Sequence, residues 1–298
     1  MKLEGVFTAL VTPFDKDGEV DLKAMERLLD DQLKHGTTGF IPCGHTGEYY
    51  AMTAEERRRV IQFVAEWTGT KAALVAGANG SSTREVIEHC RAARSAGYSA
   101  VLLGAPNSSQ PSQPELIEHY KAVLAAVDVN IVLYDLPSHA GVEVGFEVLD
   151  AFAANDRVIG IKESSGNVMR AAEIARRYGT SYQLMSGADY LAVDLFQWGA
   201  RGWVCGSANC FPRQTNAIMK AALAGDFARA QAEARAVAPG MACLEAGKFM
   251  QKTKYACELH GVPVGLGRRP HLALTDAEKA DVRRAFEQSS AARAKPAA

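Results

Sequence analysis

Short apolar runs and amphipathic stretches alternate eight times along this chain, and that alternation restricts the fold more than any other feature of the sequence. The apolar runs cover residues 6–11, 39–42, 73–76, 100–103, 130–134, 158–162, 182–185 and 202–204. Each is short and bounded by glycine, proline or small polar residues, as the buried strands of a parallel sheet are. Between them, helix-like stretches occupy 21–35, 53–67, 82–96, 114–126, 146–154, 167–178, 190–198 and 212–224. Thr53-Ala54-Glu55-Glu56 reads as a capping box, and Asp21 and Ser82 read as N-caps. Gly36 and Gly97 fall just past helix ends, where a left-handed residue is wanted. Strand centres that recur about every 20–35 residues suit right-handed βα units.

Eight such units in about 225 residues predict an α/β fold of the (β/α)8 TIM-barrel type, whose closure leaves no sheet edge. An open doubly wound sheet is the alternative that periodicity leaves standing. Beyond the eighth unit only helical stretches follow, at 227–260 and 275–291. The expected division is a barrel catalytic domain over 1–225 and a C-terminal helical region over 226–298, with a frayed tail at 291–298.

Composition matters here for what it excludes. At 298 residues and 48% apolar content the chain can bury a large core, and a formal net charge of -1 gives no footprint for nucleic acid or an anionic membrane. No apolar run is long enough to cross a bilayer, and Met1 to Gly5 lacks the apolar core of a signal peptide. The six cysteines include no C-x-x-C pair, so free thiols are expected. These readings predict a soluble, cytoplasmic protein with no nucleic-acid or membrane partner.

In a barrel of this type, function sits at the C-terminal ends of the strands. Lys162 ends the run Val158-Ile159-Gly160-Ile161 there. Burial disfavours the ammonium form and can lower a lysine pKa by up to about 3–5 units, and a neutral lysine is a nucleophile towards carbonyls. Taken alone, a strand-end lysine more often snorkels into water. Tyr134 ends the neighbouring run and offers a phenol for proton transfer, or else a satisfied core hydroxyl. Gly44-His45-Thr46-Gly47-Glu48 is a tight turn whose amides and Thr46 hydroxyl suit a carboxylate. Gly77-Ala78-Asn79-Gly80-Ser81-Ser82 lacks the Gly-Lys ending of a phosphate loop. The seven histidines are dispersed, with only His45 and His139 on the expected rim, so no metal site is predicted.

The order Thr12-Pro13-Phe14, Gly44-x-Thr46-Gly47-Glu48, Tyr134-x-x-Pro137, Gly160-x-Lys162 and Gly202 to Asn209 resembles the dihydrodipicolinate synthase / N-acetylneuraminate lyase family, over nearly the whole chain. The resemblance implies a barrel with C-terminal helices, assembled as a tetramer or dimer, and a class I Schiff-base lyase acting on pyruvate or another 2-keto acid without cofactor or metal. By motif position it makes Lys162 the Schiff-base lysine and Tyr134 the general acid/base. It gives Thr46 and Gly47 the keto acid's carboxylate, and it has Gly187 and Val204 line the pocket.

The departures from the family pattern concern the second substrate. Members that make hydroxy-tetrahydrodipicolinate usually read Gly-Thr-Thr-Gly-Glu, where this chain has His45, and carry a relay tyrosine where it has Ser108. Their arginine after Tyr-x-x-Pro-x is here His139, which removes a permanent charge and a bidentate fork. Sialic acid lyases show Gly-x-Asp-Glu after strand seven, against Gly187-Ala188-Asp189-Tyr190. The expectation is therefore a 2-keto-3-deoxy sugar acid aldolase or dehydratase, with His45 in the vacant relay role and Ser108, His139 and Asp189 as hydroxyl or proton partners. The alternatives are 4-hydroxy-tetrahydrodipicolinate synthase, an N-acetylneuraminate lyase-like aldolase, a barrel that binds a keto acid without turnover, and a metal-dependent class II aldolase.

Overall fold

Eight parallel strands pair in sequence order and the eighth pairs back to the first, which closes the sheet into a barrel. The structure is a computed structural model that describes residues 1–179 and 181–291. The strands are β1 (Gly5–Ala9), β2 (Gly39–Ile41), β3 (Ala73–Gly77), β4 (Ala100–Gly104), β5 (Asn130–Asp135), β6 (Val158–Glu163), β7 (Gln183–Ser186) and β8 (Gly202–Cys205). Around them run α1 (Leu22–Lys34), α2 (Ala54–Thr68), α3 (Thr83–Ser95), α4 (Gln113–Ala126), a one-turn α5 (Pro137–Ala140) and α6 (Phe146–Phe152). The ring continues with α7 (Val168–Tyr178), α8 (Ala192–Gln197) and α9 (Pro212–Leu223), and three further helices follow: α10 (Phe227–Glu245), α11 (Phe249–His260) and α12 (Asp276–Ala291).

Local chemistry accounts for most of these boundaries. Thr53 and Glu56 form the reciprocal capping box at the start of α2, and the Asp21 and Ser82 side chains accept from Ala24 N and Glu85 N. Gly36 and Gly97 both take φ of +90° just beyond α1 and α3, a conformation in which a Cβ is strained. The helices then bury one stripe each. On α1, Met25, Leu28 and Leu29 repeat at helical spacing and are fully buried, each contributing about 1.5–3 kcal/mol of hydrophobic stabilisation.

Strand alternation divides the core in two. Phe7, Ile41, Leu102, Val132, Met185 and Val204 fill the barrel interior, and the larger cluster lies between sheet and helices. Tyr134 sits at the top of the interior cluster.

Three stretches differ from the sequence expectation. The helix expected over 227–260 breaks between α10 and α11, where Gly247 (φ 97°) and Lys248 (φ 52°) both turn left-handed. A one-turn helix that periodicity does not register, α5, follows β5. The stretch expected over 190–198 begins with a 3-10 turn at Asp189–Leu191. The expected fray falls on 292–298, outside the described residues, and on Ala291, which ends α12.

The C-terminal helices are tied to one another and to the barrel. Gly240 N of α10 donates to Ser289 Oγ of α12, and Phe286 of α12 stacks on Phe211, just before α9, at 5.2 Å between centroids. Lys254 of α11 pairs with the buried Glu48 carboxylate at 2.6 Å. All six cysteines are free thiols. Among the described residues no helix is long and apolar enough to cross a membrane.

Candidate active site

The C-terminal mouth of the barrel opens into a cleft with two lobes, of about 770 Å³ and about 400 Å³. Both lobes are lined by His45, Tyr134, Leu136, His139, Met250 and His271. Lys162, Thr46, Gly187, Asp189 and Val204 face the larger lobe only.

Lys162 is 6% exposed, and its neighbours across the sheet are Tyr134 on β5 and Met185 on β7. Burial lowers its pKa to about 7, and the nearby Asp189 carboxylate and Cys205 thiol oppose that fall. Its Nζ stands 3.9 Å from the centroid of the Tyr134 ring. The Tyr134 phenol is itself buried and held well above the usual tyrosine pKa, so it keeps its proton at neutral pH. Gly187 lets the lysine lie where it does. A Cβ there would come within 1.8 Å of Ser164 Oγ and 2.6 Å of Lys162 Cε.

The turn after β2 is bound from several sides. Thr12 Oγ1 donates to Gly47 O at 2.6 Å, and Gly47 N donates to Gly44 O at 3.0 Å. A Cβ on Gly47 would press to 3.0 Å on Leu10 O. Glu48 adopts a left-handed φ of 56°, and its carboxylate also accepts from Arg268 N at 3.0 Å. This frame leaves His45 and Thr46 half-buried and facing the cleft.

His45 and His139 meet edge to face with centroids 4.1 Å apart, one from the β2 turn and one from α5. Burial first, then His139 and Lys162, push the His45 pKa down to about 3. Burial and Lys162 lower that of His139 as well. Both rings are therefore neutral at pH 7, each with one donor and one acceptor nitrogen. The third histidine of the mouth, His271, reaches Tyr50 Oη at 2.8 Å.

Two site expectations meet a different geometry. Ser108 is exposed, takes φ of 69° and lines neither lobe; its neighbour Asn107 lines the smaller one and approaches Tyr49 Oη at 3.5 Å. Asp189 does border the cleft, but both carboxylate oxygens are engaged, by Trp203 Nε1 at 3.0 Å and Ser207 N at 2.6 Å. Histidines dispersed in sequence also gather in space outside the cleft, where His35 and His260 flank Asp31.

Sequence reasoning missed the contribution of the C-terminal helices, whose Glu245, Phe249, Met250 and Gln251 line the larger lobe. The one signal for it is Gly247, which marks the break that lets this segment turn over the mouth. It also missed Ser164, whose hydroxyl lies beside Lys162.

Comparison with known proteins agrees with this arrangement. The profile of the Dihydrodipicolinate synthetase family matches residues 2–289. The 4-hydroxy-tetrahydrodipicolinate synthase of Sorangium cellulosum is 38% identical over 288 residues, covering 92% of this chain and 95% of that one. The synthase of Aquifex aeolicus is 34% identical over 229 residues, covering 76% and 78%. Among solved structures, the chloride-inhibited dihydrodipicolinate synthase of Acinetobacter baumannii in complex with pyruvate superposes with a TM-score of 0.94 at 29% identity, covering 97% of this chain and 99% of that one. The Aquifex aeolicus enzyme gives 0.92 at 30% identity, covering 96% and 98%. The chain belongs to the dihydrodipicolinate synthetase family, and with it to the class I lyases that work through a lysine Schiff base.

Proposed function

We propose that this lyase cleaves a 2-keto-3-deoxy sugar acid, by aldol cleavage or by dehydration, with Lys162 as the nucleophile. The observation that carries the reading is the neutral His45–His139 pair set beside Lys162 and Tyr134, in a cleft where no arginine is among the described lining residues. A second substrate with its own carboxylate is poorly matched to that rim, because neutral imidazoles offer neither a charge nor a fork. A substrate carrying hydroxyls is well matched, because each ring gives and accepts one hydrogen bond.

In the mechanism, the neutral Lys162 amine adds to the C2 carbonyl, and the carbinolamine loses water to give an iminium. Tyr134 supplies the proton that leaves with the carbinolamine oxygen. Thr46 and the amides of its turn hold the C1 carboxylate. For aldol cleavage, His45 takes the C4 hydroxyl proton, the C3–C4 electron pair flows to the iminium, and an aldehyde departs from the enamine. For dehydration, the C3 proton is lost to form the enamine, and the C4 hydroxyl then leaves as water with a proton from the histidine pair. After aldol cleavage the enamine takes back at C3 the proton removed from the C4 hydroxyl and becomes an imine again, and in both routes water finally hydrolyses the imine and releases Lys162.

A second reading is 4-hydroxy-tetrahydrodipicolinate synthase, supported by the 38% identical Sorangium cellulosum relative of that name. One experiment separates the two. Borohydride is added with pyruvate and with a panel of 2-keto-3-deoxy acids, the modified peptide is identified by mass, and turnover is measured beside condensation of pyruvate with aspartate semialdehyde. An adduct on Lys162 and turnover of a keto-deoxy acid are expected. Condensation at about 1–1000 per second without such turnover makes the chain the synthase. Absence of any Lys162 adduct removes the mechanism.

A further inference from the structure

Behind the two residues at the mouth lies a second, outward-facing pair. Strand alternation sends Asp135 and Glu163, which directly follow Tyr134 and Lys162, to the opposite face of the sheet. The two are register partners, as Tyr134 and Lys162 are, and both are buried. Arg170 of α7, also buried, places its Nε 3.0 Å from Asp135 Oδ2 and 3.0 Å from Glu163 Oε2. Its remaining nitrogens donate to Glu143 Oε1 and to Val144 O.

The other carboxylate oxygens extend the network. Asp135 Oδ1 accepts from Val144 N at 2.8 Å, and Glu163 Oε1 accepts from Ser165 N at 2.7 Å. One guanidinium thus joins the ends of β5 and β6, the loop after Lys162, and the 143–144 segment that follows the short helix bearing His139. The β5–β6 ladder has an irregularity below this point, where Ile131 pairs with Val158 but Val132 pairs with Gly160. A bulge bends and twists the strand it occupies, so regular pairing from below does not by itself fix where the strand ends meet.

We propose that Arg170 is a positioning residue for the Schiff-base site: by bridging Asp135 and Glu163 it fixes the Tyr134–Lys162 pair above the bulge and holds the His139 segment against it. This rests on Lys162 being the nucleophile. The chemistry it serves is sensitive to placement, since an error of about 1 Å between reacting groups can cost on the order of 100-fold in rate.

Removing Arg170 alone leaves two buried carboxylates without a partner and endangers the fold. The test therefore compares wild type, Arg170→Lys, and a neutralised variant carrying Arg170→Met, Asp135→Asn and Glu163→Gln together. Each is assayed for thermal midpoint, for the rate of borohydride-trapped adduct formation with pyruvate, and for kcat and KM. The expected result is a neutralised variant that melts near wild type yet traps pyruvate about 10- to 100-fold more slowly, with kcat falling more than KM changes. Arg170→Lys should lie between. A folded neutralised variant that traps within about twofold of wild type overturns the proposal and leaves the Schiff-base reading intact. If that variant does not fold, Arg170→Lys decides, with slow trapping supporting the proposal and a wild-type rate overturning it. No adduct on wild-type Lys162 overturns both.

Discussion

Lys162 Nζ stands 3.9 Å from the centre of the Tyr134 ring, and the contact joins two opposed effects in one place. The ring face attracts an ammonium by about 2 kcal/mol when the pair is desolvated. Burial nevertheless takes the lysine from 10.5 to about 7, roughly 5 kcal/mol in the other direction. Desolvation wins, and the amine is available at neutral pH.

The pH dependence of imine formation follows from that balance. The neutral amine is the reactive form, so the trapping rate should rise as pH increases through about 7 and level off above 8. His45, pushed down to about 3, and Tyr134, held high, should add no second step between pH 5.5 and 9. Rates of borohydride-trapped adduct across that range check this, and a midpoint near 10 would contradict it.

Replacing Lys162 by methionine should abolish activity while making the protein more stable. The cost to folding accumulates across the pH range in which the unfolded lysine holds its proton and the folded one does not. That cost is absent above 10.5, grows as pH falls, and is fully developed below about 7. Lys162→Met at pH 7 should gain on the order of 1–4 kcal/mol, read as a higher thermal midpoint that converges with wild type as pH rises towards 10.

Gly187→Ala should fold and lose the adduct. The new Cβ meets Ser164 Oγ at 1.8 Å and Lys162 Cε at 2.6 Å, so the lysine must move. A loss of at least about 100-fold in trapping rate with an unchanged circular dichroism spectrum is the expected pair of results.

His45→Phe should separate imine formation from turnover. The ring's packing is retained while both nitrogens are lost, so Lys162 should still trap pyruvate at close to the wild-type rate. Turnover of the keto-deoxy acid should fall about 100- to 10000-fold, the range for loss of a general acid–base group. Rapid-quench trapping beside steady-state assays distinguishes the two steps.

Lys254→Met should destabilise the protein by about 3–5 kcal/mol, since it leaves the fully buried Glu48 carboxylate unpaired. Adding Glu48→Gln should recover most of that loss, and a double-mutant cycle by denaturant unfolding measures the coupling.

Much of this molecule is legible in its sequence because local signals and global fold agree. The eight apolar runs are the eight strands to within two residues at their ends, and the Thr53, Asp21 and Ser82 caps sit where helix chemistry requires them. Lys162 and Tyr134 each end an apolar run, but alone they read as readily as a solvated lysine and a core tyrosine; the order of the motifs around them singles them out. Relationships between distant segments carry no such mark. Arg170 reads as one more polar residue on an amphipathic helix, and only the tertiary structure brings it to Asp135 and Glu163. The break at Gly247-Lys248 leaves no mark in the periodicity, because two helices of similar pattern read as one. Motif position alone puts Ser108 in the pocket, and the structure leaves it exposed and outside both lobes.

Glu48 gives the C-terminal helices a hold on a turn they do not carry. Its carboxylate closes the loop bearing His45 and Thr46 and finds its counter-charge 206 positions later, in Lys254. A chimera that exchanges this region for that of a relative is thus an electrostatic transplant as well as an exchange of packing. A donor that brings no cation to the place of Lys254 strands a buried acid beneath the turn that bears Thr46, whatever loops are grafted around the rim.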